Sequence, residues 1–294
     1  MRRTRGAVIL VALMTLLLAA CGSGIAANDA THPVVGGHIG TLPPLVVPDS
    51  DFDLFLPTNA ATRGPLQVLV AVHGFNGNGP AFSSTLTGVA EQNGWILVAP
   101  TFHYRNNVNP DIVLADDTQL LPRLKQYLDD LPAKTGLPIR RKVLLYGFSR
   151  GGQLVHRFAE FYPERTLAVA LFAAGNYTLP VSTLDVNGTP TTLDLPFGIA
   201  NVQAYTGVPF NTAAFRAIPF FIGVGAVDDR AGVAPPAWDA YEGTTRLVRA
   251  QTFASTLQRI GVSASLTVFP GIGHEITPAM RDQALAFLKQ YVAS

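Results

Sequence analysis

The sequence predicts an α/β fold: a mostly parallel central sheet with helices on both faces. Three observations predict it. Short apolar runs alternate with longer stretches of helical spacing, the pattern of strand–helix–strand units. The runs Leu66–Val72 and Trp95–Pro100 are apolar without alternation, as strands buried on both faces read. A third run, Lys142–Tyr146, leads through Gly147-Phe148-Ser149-Arg150-Gly151-Gly152 into a helical pattern. That is a G-x-S-x-G pattern in its strand, sharp turn and helix context.

Taken in order, the chain opens with Arg2, Arg3 and Arg5, an apolar stretch from Gly6 to Ala20, and Cys21. The stretch is short for a membrane span and has the basic flank of a signal peptide. Leu18-Ala19-Ala20-Cys21 resembles a bacterial lipobox, which implies that Cys21 is acylated and becomes the new N-terminus. Ordinary cleavage near Ala20 is the alternative. Residues 1–20 therefore read as a leader and 21–42, rich in Gly, Ala, Thr and Pro, as a flexible tether. The expected location is the cell envelope, lipid-anchored to a bacterial membrane, or secreted if the lipid is absent. Cys21 is the only cysteine, which excludes an intramolecular disulfide and a zinc site built on cysteines. A net charge of +1 gives no reason to expect a nucleic-acid partner.

Residues 43–294 suit one large domain. Leu45 to Leu56 reads as an opening hairpin around Pro48-Asp49-Ser50. Strand Leu66–Val72 is followed by a helix over Ala81–Gln92, and strand Trp95–Pro100 by a helix from Asp116 to about Lys134. The elbow strand and its helix, Gly151 to about Tyr162, come next. Further strands are expected at Leu167–Phe172, Pro219–Val224 and Ser265–Phe269, with amphipathic helices over Thr244–Ile260 and Thr277–Ala293. Residues 176–216 break the alternation and lie after a strand, on the edge where such sheets build their sites. They read as a lid or pocket insertion.

The elbow suggests chemistry. A serine hydroxyl is a weak nucleophile unless it is held beside a base, and a strand–helix turn places Ser149 at its apex. The base needs a carboxylate to orient it. His274 lies after the last strand and behind Gly271 and Gly273, so it is taken as the base ahead of His103. Asp228, after the Pro219 strand, is taken as the acid ahead of Asp229. Backbone N–H groups of Arg150 and of Phe75 (or Asn76), in the loop His73–Gly79, are the expected donors to an oxyanion. His73 is assigned the structural task of holding that loop. Tyr104, Tyr177 and Tyr205 are candidate substrate-binding residues on loops. The Arg150 side chain is read as part of a surface ion pair.

Together, Val72-His73-Gly74-Phe75-Asn76, the Ser149 elbow, Gly225-Ala226-Val227-Asp228 and Gly273-His274 resemble the α/β-hydrolase superfamily from about Leu45 onward. The resemblance is strongest to secreted esterases of the polyhydroxyalkanoate depolymerase, feruloyl esterase and dienelactone hydrolase types. It implies hydrolysis of a small or polymeric carboxylic ester through an acyl-serine intermediate, with no metal or organic cofactor. The same constellation serves a peptidase of the prolyl-oligopeptidase type or an acyltransferase. A hydrolase fold reused as an envelope binding protein is the non-enzymatic alternative.

Overall fold

The structure, a computed structural model, describes residues 42–228 and 234–292. The leader, Cys21, the tether up to residue 41, Asp229 and Arg230 lie outside the described residues. In chain order the elements are β1 (Phe52–Phe55), β2 (Val68–Val72), α1 (Gly79–Ser83), α2 (Thr87–Asn93), β3 (Ile96–Pro100), α3 (Pro110–Thr135), β4 (Val143–Phe148), α4 (Arg150–Phe161) and β5 (Thr166–Phe172). There follow β6 (Thr183–Val186), β7 (Thr189–Thr192), α5 (Val202–Thr206), α6 (Thr212–Arg216), β8 (Phe220–Gly225), α7 (Asp239–Glu242), α8 (Arg246–Arg259), β9 (Ala264–Phe269) and α9 (Pro278–Lys289).

The main sheet has the order β1-β3-β2-β4-β5-β8-β9. β1 is antiparallel to β3 and every other neighbouring pair in it is parallel. Side chains alternate between two cores, as the two-residue period of a strand requires. Val68, Val70 and Val72 of β2 join one core and Leu69 and Ala71 the other. β4 divides the same way, with Val143 and Leu145 on one face and Leu144 and Tyr146 on the opposite one. The first core packs under α3, α4 and α8, the second under α2 and α9. Burial on both faces explains why these strands read as unbroken apolar runs.

Three expectations need correction. The opening hairpin is absent: Asp49–Asp51 is a single turn of 3-10 helix, and β1 pairs with β3, which lies far along the chain. The helix expected over Ala81–Gln92 is two helices, because α1 ends at Ser83 and α2 starts at Thr87. α3 begins at Pro110, before the expected Asp116. There the Asn109 side chain accepts from the N–H groups of Asp111 and Ile112, and a proline occupies the first helical position.

The insertion holds more regular structure than expected. β6 and β7 form a hairpin whose turn, Asn187-Gly188, has φ 53° and 82°. An Asn-Gly pair is a strong signal for that two-residue turn, because both positions need positive φ. Leu179, Leu193, Leu195 and Phe197 are buried in the first core. Much of the insertion is therefore packed wall. None of its residues lines the cavity beside His274 described below.

Candidate active site

The site begins with the geometry of one turn. Ser149 has φ 54° and ψ −116°, a strained conformation for a residue with a Cβ. Its N–H donates to the Phe172 carbonyl at 2.8 Å, and its carbonyl accepts from the Gln153 N–H at 3.1 Å. The flanking glycines permit close approach. A Cβ on Gly147 would lie 2.5 Å from the Gly151 carbonyl oxygen, and one on Gly151 would lie 2.1 Å from that of Val72. Helix and sheet meet too tightly here for any side chain.

The β8–α7 and β9–α9 loops bring the other two residues to it. The Ala226 N–H donates to the Phe269 carbonyl and the Val227 N–H to the Ile272 carbonyl, which laces these loops together. Gly225 allows the contact, since a Cβ there would lie 2.1 Å from the Ile272 oxygen. His274 Nε2 is 3.0 Å from Ser149 Oγ, and His274 Nδ1 is 2.8 Å from Asp228 Oδ2. The chain thus brings Ser149, His274 and Asp228 into one hydrogen-bonded line. Gly271 has φ 71°, while Gly273 needs no such conformation and adds only space.

Asp228 is 5% exposed. Burial pushes its pKa up. The hydrogen bond and charge of His274, with Arg246 Nη1 donating to Oδ1 at 3.0 Å, outweigh that and hold the carboxyl below its ordinary value. The group therefore stays a carboxylate and fixes the tautomer of the imidazole, with Nδ1 as donor and Nε2 free to accept from Ser149. Sequence reasoning missed Arg246. It sits at the start of α8 behind the Thr245 cap, and nothing local signals that it faces Asp228.

The loop after β2 runs beside the serine, because a Cβ on Gly74 would lie 3.2 Å from that of Ser149. Gly74–Gly77 is a turn closed by the Gly77 N–H on the Gly74 carbonyl, with Asn76 at φ 60°. His73 holds it: Nδ1 donates to the Gly74 carbonyl at 2.6 Å, and Nε2 accepts from the Phe102 N–H at 2.9 Å. Burial lowers the His73 pKa, so the ring stays neutral and keeps both bonds. Among the described residues, neither the Phe75 N–H nor the Arg150 N–H donates a hydrogen bond within the protein. Arg150 is the first residue of α4, where a free N–H is the rule.

The other candidates fall elsewhere. Tyr177 is fully buried, its ring stacked on Phe253 at 4.4 Å between centroids. Tyr104 is core as well, against the Arg150 guanidinium at 4.6 Å. Neither lines the cavity beside His274, and the two rings pack against Arg150 and His156 of α4. Tyr205 is 45% exposed on α5 and does not line the cavity beside His274. The Arg150 side chain is not at the surface but fully buried, paired with Asp117 at 2.6 Å. His103 is exposed beside Asp51, and His156 is buried, bonded to the Gly152 carbonyl and the Thr178 N–H. Neither histidine contacts Ser149.

A cavity of about 410 Å³ adjoins His274. Phe82, Tyr146, Phe148 and Ile276 give it an apolar body, with Glu275 and Arg281 also in its lining. Among the described residues no three metal-ligating side chains cluster, and no helix is long and apolar enough to cross a membrane.

No protein-family model matches the chain, and no curated protein does. Solved structures do. A poly(3-hydroxybutyrate) depolymerase from Bordetella parapertussis superposes with a TM-score of 0.62 at 24% identity, over 83% of this chain and 86% of that one. A poly(aspartic acid) hydrolase from a Sphingomonas species gives 0.62 at 20% identity, over 81% and 92%. A phospholipase/carboxylesterase from Dyadobacter fermentans gives 0.55 at 14%, over 85% and 100%. Likeness at such identities speaks to architecture, and with the parallel sheet covered on both sides it establishes that this chain has the α/β-hydrolase fold.

Proposed function

We propose that the chain hydrolyses carboxylic esters through an acyl-serine intermediate. The observation that carries this is the hydrogen-bonded line from Asp228 through His274 to Ser149, on a turn strained to expose the serine. Ser149 Oγ attacks the ester carbonyl while His274 Nε2 takes its proton. The tetrahedral oxyanion accepts from the N–H groups of Phe75 and Arg150. His274 then gives its proton to the leaving alkoxide as the C–O bond breaks. A water, deprotonated by the same nitrogen, attacks the acyl-serine, and collapse returns the proton to Oγ and releases the acid. Asp228 stays ionised throughout and stabilises the imidazolium.

The apolar cavity beside His274 fits a hydrocarbon acyl or alcohol group, and the depolymerase among the similar structures makes a polyester a further candidate substrate. The test is a panel of short and long 4-nitrophenyl esters, a hydroxyalkanoate oligomer and an aminoacyl-proline anilide, each with a Ser149→Ala control. Ester turnover that vanishes in the variant supports the reading. Cleavage of the anilide alone moves it to a peptidase, and a folded but inert protein leaves a binding function.

The leader pattern supports anchoring at a bacterial envelope through acylated Cys21. Radiolabelled fatty acid should enter the wild-type protein and not Cys21→Ser. Equal labelling of both removes this part of the proposal.

A further inference from the structure

The cavity beside His274 extends beyond the reacting atoms. Phe148 and Tyr146 are two residues apart on β4, so their side chains leave the same face of the sheet, about 7 Å apart along the strand. The Phe148 ring lies 4.9 Å from that of His274, and the Tyr146 ring lies 5.8 Å from that of Phe82, between centroids. All four rings line the cavity. Its wall therefore leads from His274 past Phe148 to Tyr146. Tyr146 is 2% exposed, with its ring held against Phe82 and Phe172. Its hydroxyl forms no hydrogen bond among the described residues, yet it is not shut away from open space as the unpaired Tyr177 hydroxyl is. The small surface that Tyr146 keeps therefore includes this oxygen, and the cavity is the space that it meets.

The charges acting on that hydroxyl are those of Arg281 and Asp282 at the start of α9, and Arg281 lines the same cavity. Burial raises the Tyr146 pKa above its ordinary value, so the phenol keeps its proton and can donate. The other polar groups of the wall are engaged or open to water. Arg281 pairs with Asp282 at 2.7 Å, the Thr277 hydroxyl accepts from the Met280 N–H, and Thr85 and Glu275 are exposed. A plain hydrocarbon chain that fills the cavity strips water from the Tyr146 hydroxyl and leaves it unpaired, which is costly. A chain with an acceptor at that depth replaces the lost bond. We propose that Tyr146 is a specificity-determining residue, whose hydroxyl donates to an ether or carbonyl oxygen carried within the chain of the ester. The preferred substrates are then esters of oxygenated chains rather than of plain hydrocarbon ones. This inference rests on the esterase reading, which it deepens.

Two series of esters of equal chain length test this on the full chain. In the first, the acyl chain of a 4-nitrophenyl ester is all methylene, or has one methylene replaced by an ether oxygen or a carbonyl group at successive positions. In the second, the same chains form the alcohol side of acetate esters. In one of the two series kcat/KM should peak at a single oxygen position, about two- to tenfold above the hydrocarbon ester, the range of one neutral hydrogen bond. Tyr146→Phe keeps the ring and should remove that peak. Equal turnover at every position in both series, measured on the wild-type protein alone, overturns the proposal. So does a peak that survives Tyr146→Phe. Hydrolysis of 4-nitrophenyl acetate, whose acyl group is too short to reach Tyr146, separates the two possible failures. Acetate turnover that is lost in Ser149→Ala, beside two flat series, removes the role of Tyr146 and leaves the esterase reading. No acetate turnover in the wild-type protein removes that reading and this role with it.

Discussion

Asp117, two turns into α3, holds the residue that follows Ser149. Its Oδ1 lies 2.6 Å from Arg150 Nη2 and its Oδ2 lies 2.7 Å from Arg157 Nη1, with all three side chains at most 1% exposed. One carboxylate therefore ties Arg150, whose N–H is proposed to meet the oxyanion, to Arg157 two turns further along α4. Removing one member of a buried network strands the others without a counter-charge. Asp117→Asn should destabilise the fold by about 3–5 kcal/mol in denaturant titration. In the fraction that remains folded, kcat should fall more than KM rises, because the displaced group acts on the transition state.

Asp228 is proposed as the acid that orients His274, and its replacement tests which imidazole nitrogen carries the proton. Asp228→Asn keeps the shape but lets the amide donate to Nδ1, which turns Nε2 into a donor. Turnover should drop on the order of 10⁴-fold with little change in KM. Asp229 was the sequence alternative and lies outside the described residues, so Asp229→Asn is the natural control, with near wild-type turnover expected.

The cavity beside His274 sets which esters fit. Phe82→Trp adds bulk to its wall. It should raise KM for long acyl or bulky alcohol esters and leave 4-nitrophenyl acetate little changed. Equal losses for short and long esters would show that this cavity holds neither group.

Stability should depend on pH through carboxyls remote from the serine. Burial pushes Glu242 up to about 8 from 4.5, against the opposing pull of Arg249, the Tyr177 N–H and Arg157. Glu160, buried with neither carboxyl oxygen bonded, is raised in the same direction, first by burial and then by the charge of Glu242. The folded state therefore binds more protons than the unfolded chain between about pH 4.5 and 8. The stabilisation is complete below that window and is lost as pH rises through it. Unfolding free energy should decline from pH 5 to pH 8, and Glu242→Gln should flatten the decline.

The legible parts of the site share one property, that their signal is local. Ser149 is marked by glycines two residues to either side, and both prove necessary because helix and strand backbones meet there. His274 and Asp228 are marked by loops that follow apolar strands, and the parallel topology gathers those loops at one edge. What escaped depends on distant partners. Residues 45–56 read as a hairpin, but β1 pairs with β3 and not with its neighbour in sequence. Tyr177 lies in a loop and reads as a pocket residue, yet Phe253 of α8 covers it. The Arg150 side chain reads as a surface group because its counter-charge, Asp117, lies on another helix. The Asn187-Gly188 turn is different, since its hairpin signal is local, within a segment that otherwise breaks the strand–helix alternation.

The proposed mechanism requires that Ser149 become acylated. Rapid quenching of the protein with 4-nitrophenyl acetate, followed by peptide mass mapping, tests it most directly. The expected result is one acetyl group on the Ser149 peptide, an initial burst of nitrophenol that matches the enzyme concentration, and neither in Ser149→Ala. Turnover without acylation at Ser149, or turnover that survives Ser149→Ala, would contradict it.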